Sequence, residues 1–365
     1  MANIQNTFIM KPNYPFAIRS MSFITGFLII IFVVFISFIR KRPVADETKK
    51  EAVIQDNKDR LLSVANVYYT EDGKKAEAWF YETPLVYEFS AGDNNAKRNF
   101  ELLKSAKEKN EPVNVRLDAR VGNRIAIISA ATSSQIERFK TEVSKRERAV
   151  EVEAPASEKS LAGPHAVLQG SSTNLIGVVP NTTVLNNIFG RVRGECCKLF
   201  GPYLFGQCVP YQFVADGCYA RAHKMRQIIE SYYGYTSYKV FNYACNGAGT
   251  LSVKATLWSN NCCVHWWYHV ASYVIVQVGT AQYAYLIDPA MFTGPVSIPT
   301  WVAAQKSVAC GYAGAAQGQV YYTSNAYAPS SLNTTTCVLV PYADNTYTAA
   351  NATCAAYAPK QGCSF

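Results

Sequence analysis

Hydrophobic and polar residues follow two different periods in the middle of the chain. Residues 76–90, AEAWFYETPLVYEFS, alternate with a period close to two, which is typical of a half-buried β-strand. Residues 93–110, DNNAKRNFELLKSAKEKN, place Phe100, Leu103 and Ala106 on one helical face and begin with residues that cap helices well. The pattern therefore predicts a strand followed by a helix.

Similar patterns continue beyond this helix. Residues 113–130 contain two strand-like runs around Gly122, and residues 133–149 predict a second capped helix. We therefore expect residues 43–153 to form a small α+β domain. Residues 154–174 have no hydrophobic period and are rich in Pro, Gly and small side chains, which predicts a linker open to proteolysis.

An uncharged apolar run, residues 21–39, follows an N-terminal flank of residues 1–20. At about 1.5 Å per helical residue it nearly crosses a hydrocarbon core of ~30 Å, so we expect a transmembrane signal anchor or the hydrophobic region of a signal peptide. The RKRP that follows does not resemble a signal-peptidase site, which favours an uncleaved anchor. These basic residues favour a cytoplasmic C-terminal side, whereas the cysteine content favours an extracytoplasmic one.

Charge and cysteine content divide the chain near residue 175. Residues 41–174 hold 22 Lys and Arg and 21 Asp and Glu, whereas residues 175–365 hold 10 and 5 together with all 11 cysteines. The second composition is typical of exported, disulfide-linked enzymes, so we expect an extracytoplasmic location. The basic residues form no continuous stripe that would indicate a nucleic-acid partner, despite the net charge of +9.

The odd number of cysteines predicts at least one free thiol. If ten cysteines pair, one remains available for chemistry. The adjacent pairs Cys196 and Cys197, and Cys262 and Cys263, are each expected to reach separate partners. The histidine and cysteine spacings match no common zinc-finger pattern, and no metal site is predicted.

Cys218 is the first candidate for a reactive residue. It lies in DGCYARAHKM, residues 216–225, and the apolar residues that follow recur at helical spacing until Gly234. In the first turn of a helix the N-terminal dipole favours a thiolate, and free backbone N–H groups can hold an oxyanion. The alternative is a structural cysteine in a non-catalytic, disulfide-rich binding ectodomain.

A thiolate nucleophile needs a base, and the chain has four histidines. His165 lies in the linker, and His223 shares the helix of Cys218 but points in another direction. His265 and His269 fall on one face of a predicted strand, so the pattern does not choose between them, and each can equally be structural. Asp288 ends the next strand before a proline, where an acid is often only a turn former. The order Cys, His, Asp nevertheless allows a catalytic triad.

Three segments resemble the active-site segments of the bacterial protein glutaminases, also called protein-glutamine deamidases. They are DGCYARAHKMRQI, CCVHWWYHVA and LIDPAMFTGPV, and the resemblance covers residues 175–365. It implies an α+β fold with a transglutaminase-like (papain-like) core, in which a helix bearing the cysteine packs on an antiparallel sheet. It also implies that Cys218 is the nucleophile, His269 rather than His265 the base, and Asp288 the residue that orients the base.

The resemblance implies hydrolysis of the side-chain amide of protein- or peptide-bound glutamine through a thioester, without a cofactor. Trp267, Tyr268 and Tyr219 can form a slot for that side chain or simply fill the core. A transglutaminase or a cysteine peptidase can use the same triad.

Residues 43–153 more weakly resemble an inhibitory pro-domain. We therefore expect this domain to act as an intramolecular inhibitor until a protease cuts the linker, and the alternative is a simple spacer between the membrane and the enzyme.

Overall fold

The computed structural model describes residues 59–92, 94–118, 121–146, 175–245, 249–322 and 325–364. The predicted membrane segment 21–39 and linker 154–174 lie outside these residues. Within the described ranges, no helix is both long enough and apolar enough to span a membrane.

The first part of the described chain has five mostly antiparallel strands, of which β3 and β5 pair in parallel, and two helices. Its elements are β1 (Arg60–Tyr69), β2 (Lys75–Phe80), β3 (Thr83–Ser90), α1 (Asn94–Lys109), β4 (Pro112–Asp118), β5 (Val121–Ala130) and α2 (Ser133–Arg146). Both predicted helices are confirmed, and Leu103 and Ala106 of α1 are buried as expected. The two strands predicted around Gly122 are confirmed as β4 and β5, but Asp118 pairs with Val121, so Gly122 belongs to β5 rather than to the turn. The predicted strand 76–90 is the β2–β3 hairpin.

The second part carries the cysteines and most of the strands. Its helices are α3 (Thr182–Gly194), α4 (Cys218–Gln227), α5 (Ile298–Ala303) and α6 (Thr348–Tyr357). Its strands are β6 (Val178–Val179), β7 (Tyr238–Ala244), β8 (Leu251–Ala255), β9 (Cys262–Trp266), β10 (Tyr268–Val278), β11 (Ala281–Ile287), β12 (Val296–Ser297), β13 (Gln317–Tyr322), β14 (Ala326–Asn333) and β15 (Val338–Ala343). The helices and strands of the two parts together form a mixed α+β fold.

The cysteine-bearing helix packs on the central antiparallel sheet. That sheet has the strand order β12-β11-β10-β7-β13, with β6 added in parallel to β10. The hydroxyl of Ser272 on β10 donates a hydrogen bond of 3.0 Å to the carbonyl of Ala222 on α4. This bond and the apolar face of α4 fix the helix across the middle of the sheet. After α4, a π-helical turn (Ile228–Tyr232) leads to Gly234, whose φ of +74° ends the helix.

A second sheet joins the two parts of the chain. Its order is β2-β1-β4-β5-β3-β9-β8, so that β3 of the first part pairs with β9 of the second, with Leu85 opposite Trp266. The backbone N–H of Trp267 donates to the carbonyl of Pro84 at 2.8 Å. The first part is therefore built into the same sheet as the strand that precedes β10.

The apolar cores are also shared between the two parts. Trp79 and Val86 of the first part belong to the core of the second, whereas Phe213 and Ala215 of the second belong to the core of the first. Because each part fills space in the core of the other, separation exposes apolar surface on both.

Four disulfides cross-link the second part. They join Cys197 to Cys208, Cys245 to Cys337, Cys262 to Cys363, and Cys263 to Cys310, and the adjacent cysteines do reach separate partners. Such cross-linking is typical of proteins from oxidising, extracytoplasmic compartments.

Three thiols are free, more than the one that would remain if ten cysteines paired. Cys196, Cys218 and Cys354 are all unpaired and buried. An odd total requires only an odd number of free thiols, and buried cysteines also serve as small apolar residues. The Cys196 thiol donates to the side-chain carbonyl of Gln212 at 3.5 Å, whereas Cys354 lies fully buried on α6.

We predict three free thiols in the purified full chain. Denaturation in the presence of N-ethylmaleimide should label three cysteines, and non-reducing peptide mapping should recover the four disulfide-linked pairs. The native chain should react slowly, since all three thiols are buried. A single labelled cysteine, or Cys218 in a disulfide, would contradict the structure.

Candidate active site

Cys218 is the first residue of α4, where the local sequence forces a sharp entry into the helix. Gly217 precedes it with a φ of +80°, and a Cβ at this position would lie 2.9 Å from the ring of Tyr357. Glycine is therefore required both for the left-handed conformation and for the close approach of Tyr357. The turn leaves Cys218 at the helix N-terminus, where backbone N–H groups lack intrahelical partners.

The thiol of Cys218 is enclosed, with 1% of the residue exposed. Burial raises the pKa of Cys218 to about 12, although the guanidinium of Arg221 and a hydrogen bond from the Val270 N–H oppose this rise. In the uncut chain the thiol is therefore protonated at neutral pH and shielded from solvent.

His269 and Asp288 form a buried hydrogen-bonded pair. His269 is the second residue of β10, and Asp288 directly follows β11, the neighbouring antiparallel strand. The Nε2 of His269 lies 2.8 Å from the Oδ2 of Asp288. The backbone N–H of Ala290 donates to Oδ1 at 3.2 Å, and the indole N–H of Trp301 donates to Oδ2 at 3.0 Å.

The two members of this pair respond differently to burial. Burial alone would raise the pKa of Asp288, but the hydrogen bonds from His269 and Trp301 outweigh it and hold that pKa below its ordinary value. Burial lowers the pKa of His269, and the attraction of Asp288 only partly offsets this. The enclosed pair therefore consists of a carboxylate and a neutral imidazole.

His269 has one ring nitrogen left for a further proton transfer. Within the described residues, Nδ1 has no hydrogen-bond partner. The next residue, Val270, directs its backbone N–H to the Cys218 sulfur. With Nε2 held by Asp288, Nδ1 is the ring nitrogen that remains without a partner among the described residues.

The other described histidines lie in different surroundings. His265 was expected on the same strand as His269, which was wrong: His265 belongs to β9, and the strand pairing is broken at Trp267. Its Nδ1 lies 3.2 Å from the Ser252 hydroxyl. His223 is buried between the Lys239 amine, 2.9 Å from Nδ1, and the Thr346 carbonyl, 3.0 Å from Nε2. His165 lies outside the described residues.

The aromatic residues singled out from the sequence have separate surroundings. Trp267 is fully buried, and its indole N–H donates to the carbonyls of Thr83 at 2.8 Å and Phe80 at 3.1 Å. Tyr268 is fully buried, and its hydroxyl has no hydrogen-bond partner among the described residues. The ring of Tyr219 meets the edge of Tyr327 at 5.4 Å. Trp267 is thus bound to the first part of the chain.

Arg221 is a site residue that sequence reasoning missed. Its Nη1 donates to the carbonyls of Phe213 at 2.8 Å and Asp216 at 2.6 Å, and the side chain is 2% exposed. It therefore holds the loop that leads into Cys218 and brings a positive charge to the thiol. A basic residue one helical turn after a candidate nucleophile is the signal that could have indicated it.

No group of three or more His, Cys, Asp or Glu side chains suited to a metal ion occurs among the described residues.

We predict that Arg221→Met destabilises the full chain by about 2–5 kcal/mol, because two buried carbonyls lose their charged donor. Urea unfolding followed by circular dichroism measures this change. Arg193→Met is the matched control, since Arg193 is an exposed arginine whose guanidinium lies over Trp258 at 5.4 Å. Equal stabilities of the two variants would show that the Arg221 bonds do not hold the loop.

Comparisons with known proteins match both parts of the chain. The model of a family described as glutaminase matches residues 185–305. The crystal structure of a pro-protein-glutaminase is 25% identical, with a TM-score of 0.61 over 84% of this chain and 94% of that chain. A mutant of pro-protein-glutaminase is 25% identical and gives a TM-score of 0.62 over 84% and 96%.

The NMR structure of protein-glutaminase from Chryseobacterium proteolyticum is 30% identical, over 52% of this chain and 93% of that chain, with a TM-score of 0.42. No curated protein sequence matches the chain significantly.

Proposed function

The chain belongs to the protein-glutaminase family, and from this premise we propose that it is a protein-glutamine glutaminase made as a pro-enzyme. It hydrolyses the side-chain amide of protein- or peptide-bound glutamine to glutamate and ammonia. The observation that carries the proposal is the buried Cys218 thiol at a helix N-terminus beside the 2.8 Å pair of His269 and Asp288.

In the first half of the proposed reaction, Cys218 is the nucleophile and His269 the base. The thiol proton moves to Nδ1, and the thiolate attacks the carbon of the glutamine carboxamide. Negative charge develops on the amide oxygen, where the free N–H groups of the α4 N-terminus can stabilise it. The imidazolium then gives its proton to the amide nitrogen, the C–N bond breaks, and ammonia leaves a thioester.

In the second half of the proposed reaction, a water molecule takes the place of the departed ammonia and hydrolyses the thioester. Nδ1 of His269 takes a proton from water while the hydroxide attacks the thioester carbon. The C–S bond breaks, the sulfur regains a proton from the imidazolium, and glutamate remains on the substrate. Asp288 keeps its hydrogen bond to Nε2 throughout and stabilises each imidazolium. These steps require no cofactor.

The domain assignment follows the proposed function. Residues 43–153 form the inhibitory pro-domain, 154–174 the cleavable linker and 175–365 the catalytic domain with a transglutaminase-like core. The hydrogen bonds from Trp267 to the β2–β3 turn support inhibition over a spacer role, because a spacer needs no contact with the residues beside His269. The four disulfides support an extracytoplasmic location, and residues 21–39 are the proposed membrane anchor.

We predict that limited proteolysis of the linker activates the chain. The uncut chain should leave a glutamine-containing peptide unchanged, and the cut chain should release ammonia with a mass gain of about one dalton on the peptide. Ammonia release with cross-linking to an added amine would instead indicate a transglutaminase, and backbone cleavage a peptidase. Full activity without cleavage would contradict the pro-enzyme proposal.

Replacing the nucleophile provides the sharpest control of the chemistry. Cys218→Ala should abolish ammonia release from the cut chain, because no thioester can form. Cys354→Ala removes another buried free thiol, on α6, and should remain active. Comparable activity of the two variants would exclude Cys218 as the nucleophile.

We also predict that Trp267→Phe weakens retention of the pro-domain after cleavage. The variant loses both indole bonds to the carbonyls of Thr83 and Phe80. With about 1 kcal/mol for a buried bond, dissociation of the cut fragments should become roughly fivefold more favourable or greater. Size-exclusion chromatography of the cut chain over a dilution series measures this without depending on activity.

Trp258→Phe is the matched control for this retention. Trp258 donates its indole N–H at 2.9 Å to the carbonyl of Pro289, entirely within the second part. It should therefore retain the pro-domain like the unmodified chain. Unchanged retention in Trp267→Phe would show that the indole bonds do not hold the pro-domain.

A further inference from the structure

The imidazole of His269 stacks with two indole rings. Trp266 lies with its ring centroid 4.3 Å from that of His269 at an interplanar angle of 13°, and Trp301 lies 5.3 Å away at 28°. Both tryptophans are almost fully buried, at 1% and 0% exposure. A histidine bound only through Nε2 could still rotate about that bond, whereas stacking restricts its ring to one plane.

The two indole N–H groups connect this stack to the other site residues. Trp301 donates at 3.0 Å to the Oδ2 of Asp288, the same oxygen that holds Nε2 of His269. Trp266 donates at 3.1 Å to the carbonyl of Ala215, which lies three positions before Cys218. The Trp301 indole therefore links His269 to Asp288, and the Trp266 indole links His269 to the loop that leads into Cys218.

Trp301 is itself fixed by a chain of buried amides. The side-chain amide of Gln305 donates at 3.0 Å to the carbonyl of Trp301, and its oxygen accepts from Asn242 at 3.0 Å. Asn242 on β7 lies directly opposite His269 of β10 in the sheet register. This series of hydrogen bonds connects the short helix α5 to β7, the strand that pairs with His269. The Trp301 indole therefore cannot shift independently of the sheet.

We propose that Trp301 and Trp266 are positioning residues for the reaction: they hold the His269 ring so that Nδ1 remains available to Cys218, and the Trp301 N–H shares the charge of Asp288. This inference rests on the proposed function. Neither residue touches the reacting atoms. A carboxylate oxygen with two donors gives less of its charge to either one, so Trp301 limits how strongly Asp288 stabilises the imidazolium.

Because Trp301 and His269 share one oxygen of Asp288, removal of the Trp301 N–H is expected to raise the pKa of His269. Without the Trp301 N–H, Oδ2 interacts more strongly with Nε2–H, and the imidazolium loses its proton at a higher pH. The charged groups that act on His269 are Asp288 and, on α4, Arg221, and Cys218, also on α4, is its proposed partner in proton transfer. A Trp301 variant changes only the Asp288 interaction directly, and Asn242, on the neighbouring strand, is neutral.

Trp301→Phe tests the inference in the full chain after cleavage of the linker. It retains an aromatic ring for stacking, although a smaller one, and removes the N–H donor to Asp288. We expect kcat to fall about tenfold with KM within about twofold, and the acid limb of the kcat/KM profile, which reports deprotonation of the His269 base, to move up by about half a pH unit. Trp266→Phe, whose N–H does not contact Asp288, should lower kcat without moving that limb.

Trp258→Phe is again the matched control, because it removes an indole N–H bond near Asp288 without a ring that stacks on His269. It should leave both kcat and the acid limb unchanged. An unmoved limb in Trp301→Phe, or an equal fall of kcat in Trp258→Phe, would overturn the inference. If Trp301→Phe does not fold, replacing Trp301 with benzothienylalanine removes the N–H while preserving the ring size, and the same shift is required.

A second readout separates this inference from the proposed function. The rate of Cys218 alkylation by iodoacetamide, followed by peptide mass spectrometry, rises with pH as the imidazolium loses its proton, and it needs no amide hydrolysis. If the cut chain releases no ammonia but the Trp301→Phe step shifts upward, the glutaminase proposal fails and the positioning role stands. If ammonia is released but neither profile shifts, the positioning role fails alone.

Discussion

The burial of two adjacent tryptophans, Trp266 and Trp267, is the interaction on which the structure most depends. It fixes both the candidate site and the packing of the proposed pro-domain over it. Trp266 donates to the Ala215 carbonyl and stacks on His269, whereas Trp267 donates to the carbonyls of Thr83 and Phe80. The backbone bends at Trp267, between β9 and β10, and the two adjacent indoles bond to different segments, so one dipeptide serves both surfaces. The indole that faces the nucleophile and the indole that faces the pro-domain are therefore fixed by the same segment of backbone.

The covered site disfavours the charges that the proposed reaction needs. Burial raises the pKa of the Cys218 thiol and lowers that of His269, so both groups are neutral. Transferring the proton would create a thiolate and an imidazolium without water, and the cost of desolvating two ions opposes this. Arg221, the helix N-terminus and Asp288 already surround the place where these charges would form. Under the proposed function, access of water after removal of the pro-domain would lower the remaining cost, so the pro-domain would restrain the chemistry itself.

Local patterns predicted three of the helices, α1, α2 and α4, but they could not predict the contacts between distant segments. The helix that begins at Cys218 has its own apolar period, and a positive-φ glycine precedes it. The separation of His265 from His269 onto two strands has no such local signal, because it arises where Trp267 bonds to the β2–β3 turn far away in the chain. The hydrogen bond from Trp301 to Asp288 was not predicted for the same reason, because it forms only when α5 packs beside the end of β11. The roles of Cys218 and its partners remain predictions from the resemblance.

The shared cores determine what must happen after the linker is cut. Trp79 and Val86 fill the core of the second part, and Phe213 and Ala215 fill that of the first. Cutting the linker breaks none of these contacts or the strand pairing of Leu85 with Trp266, so a cut chain can remain covered. Once apart, the pro-domain loses part of its own core and has no disulfide within its described residues, whereas the second part keeps four. The same cleavage therefore leaves two fragments of very different resistance to unfolding, and degradation of the weaker one would make uncovering irreversible.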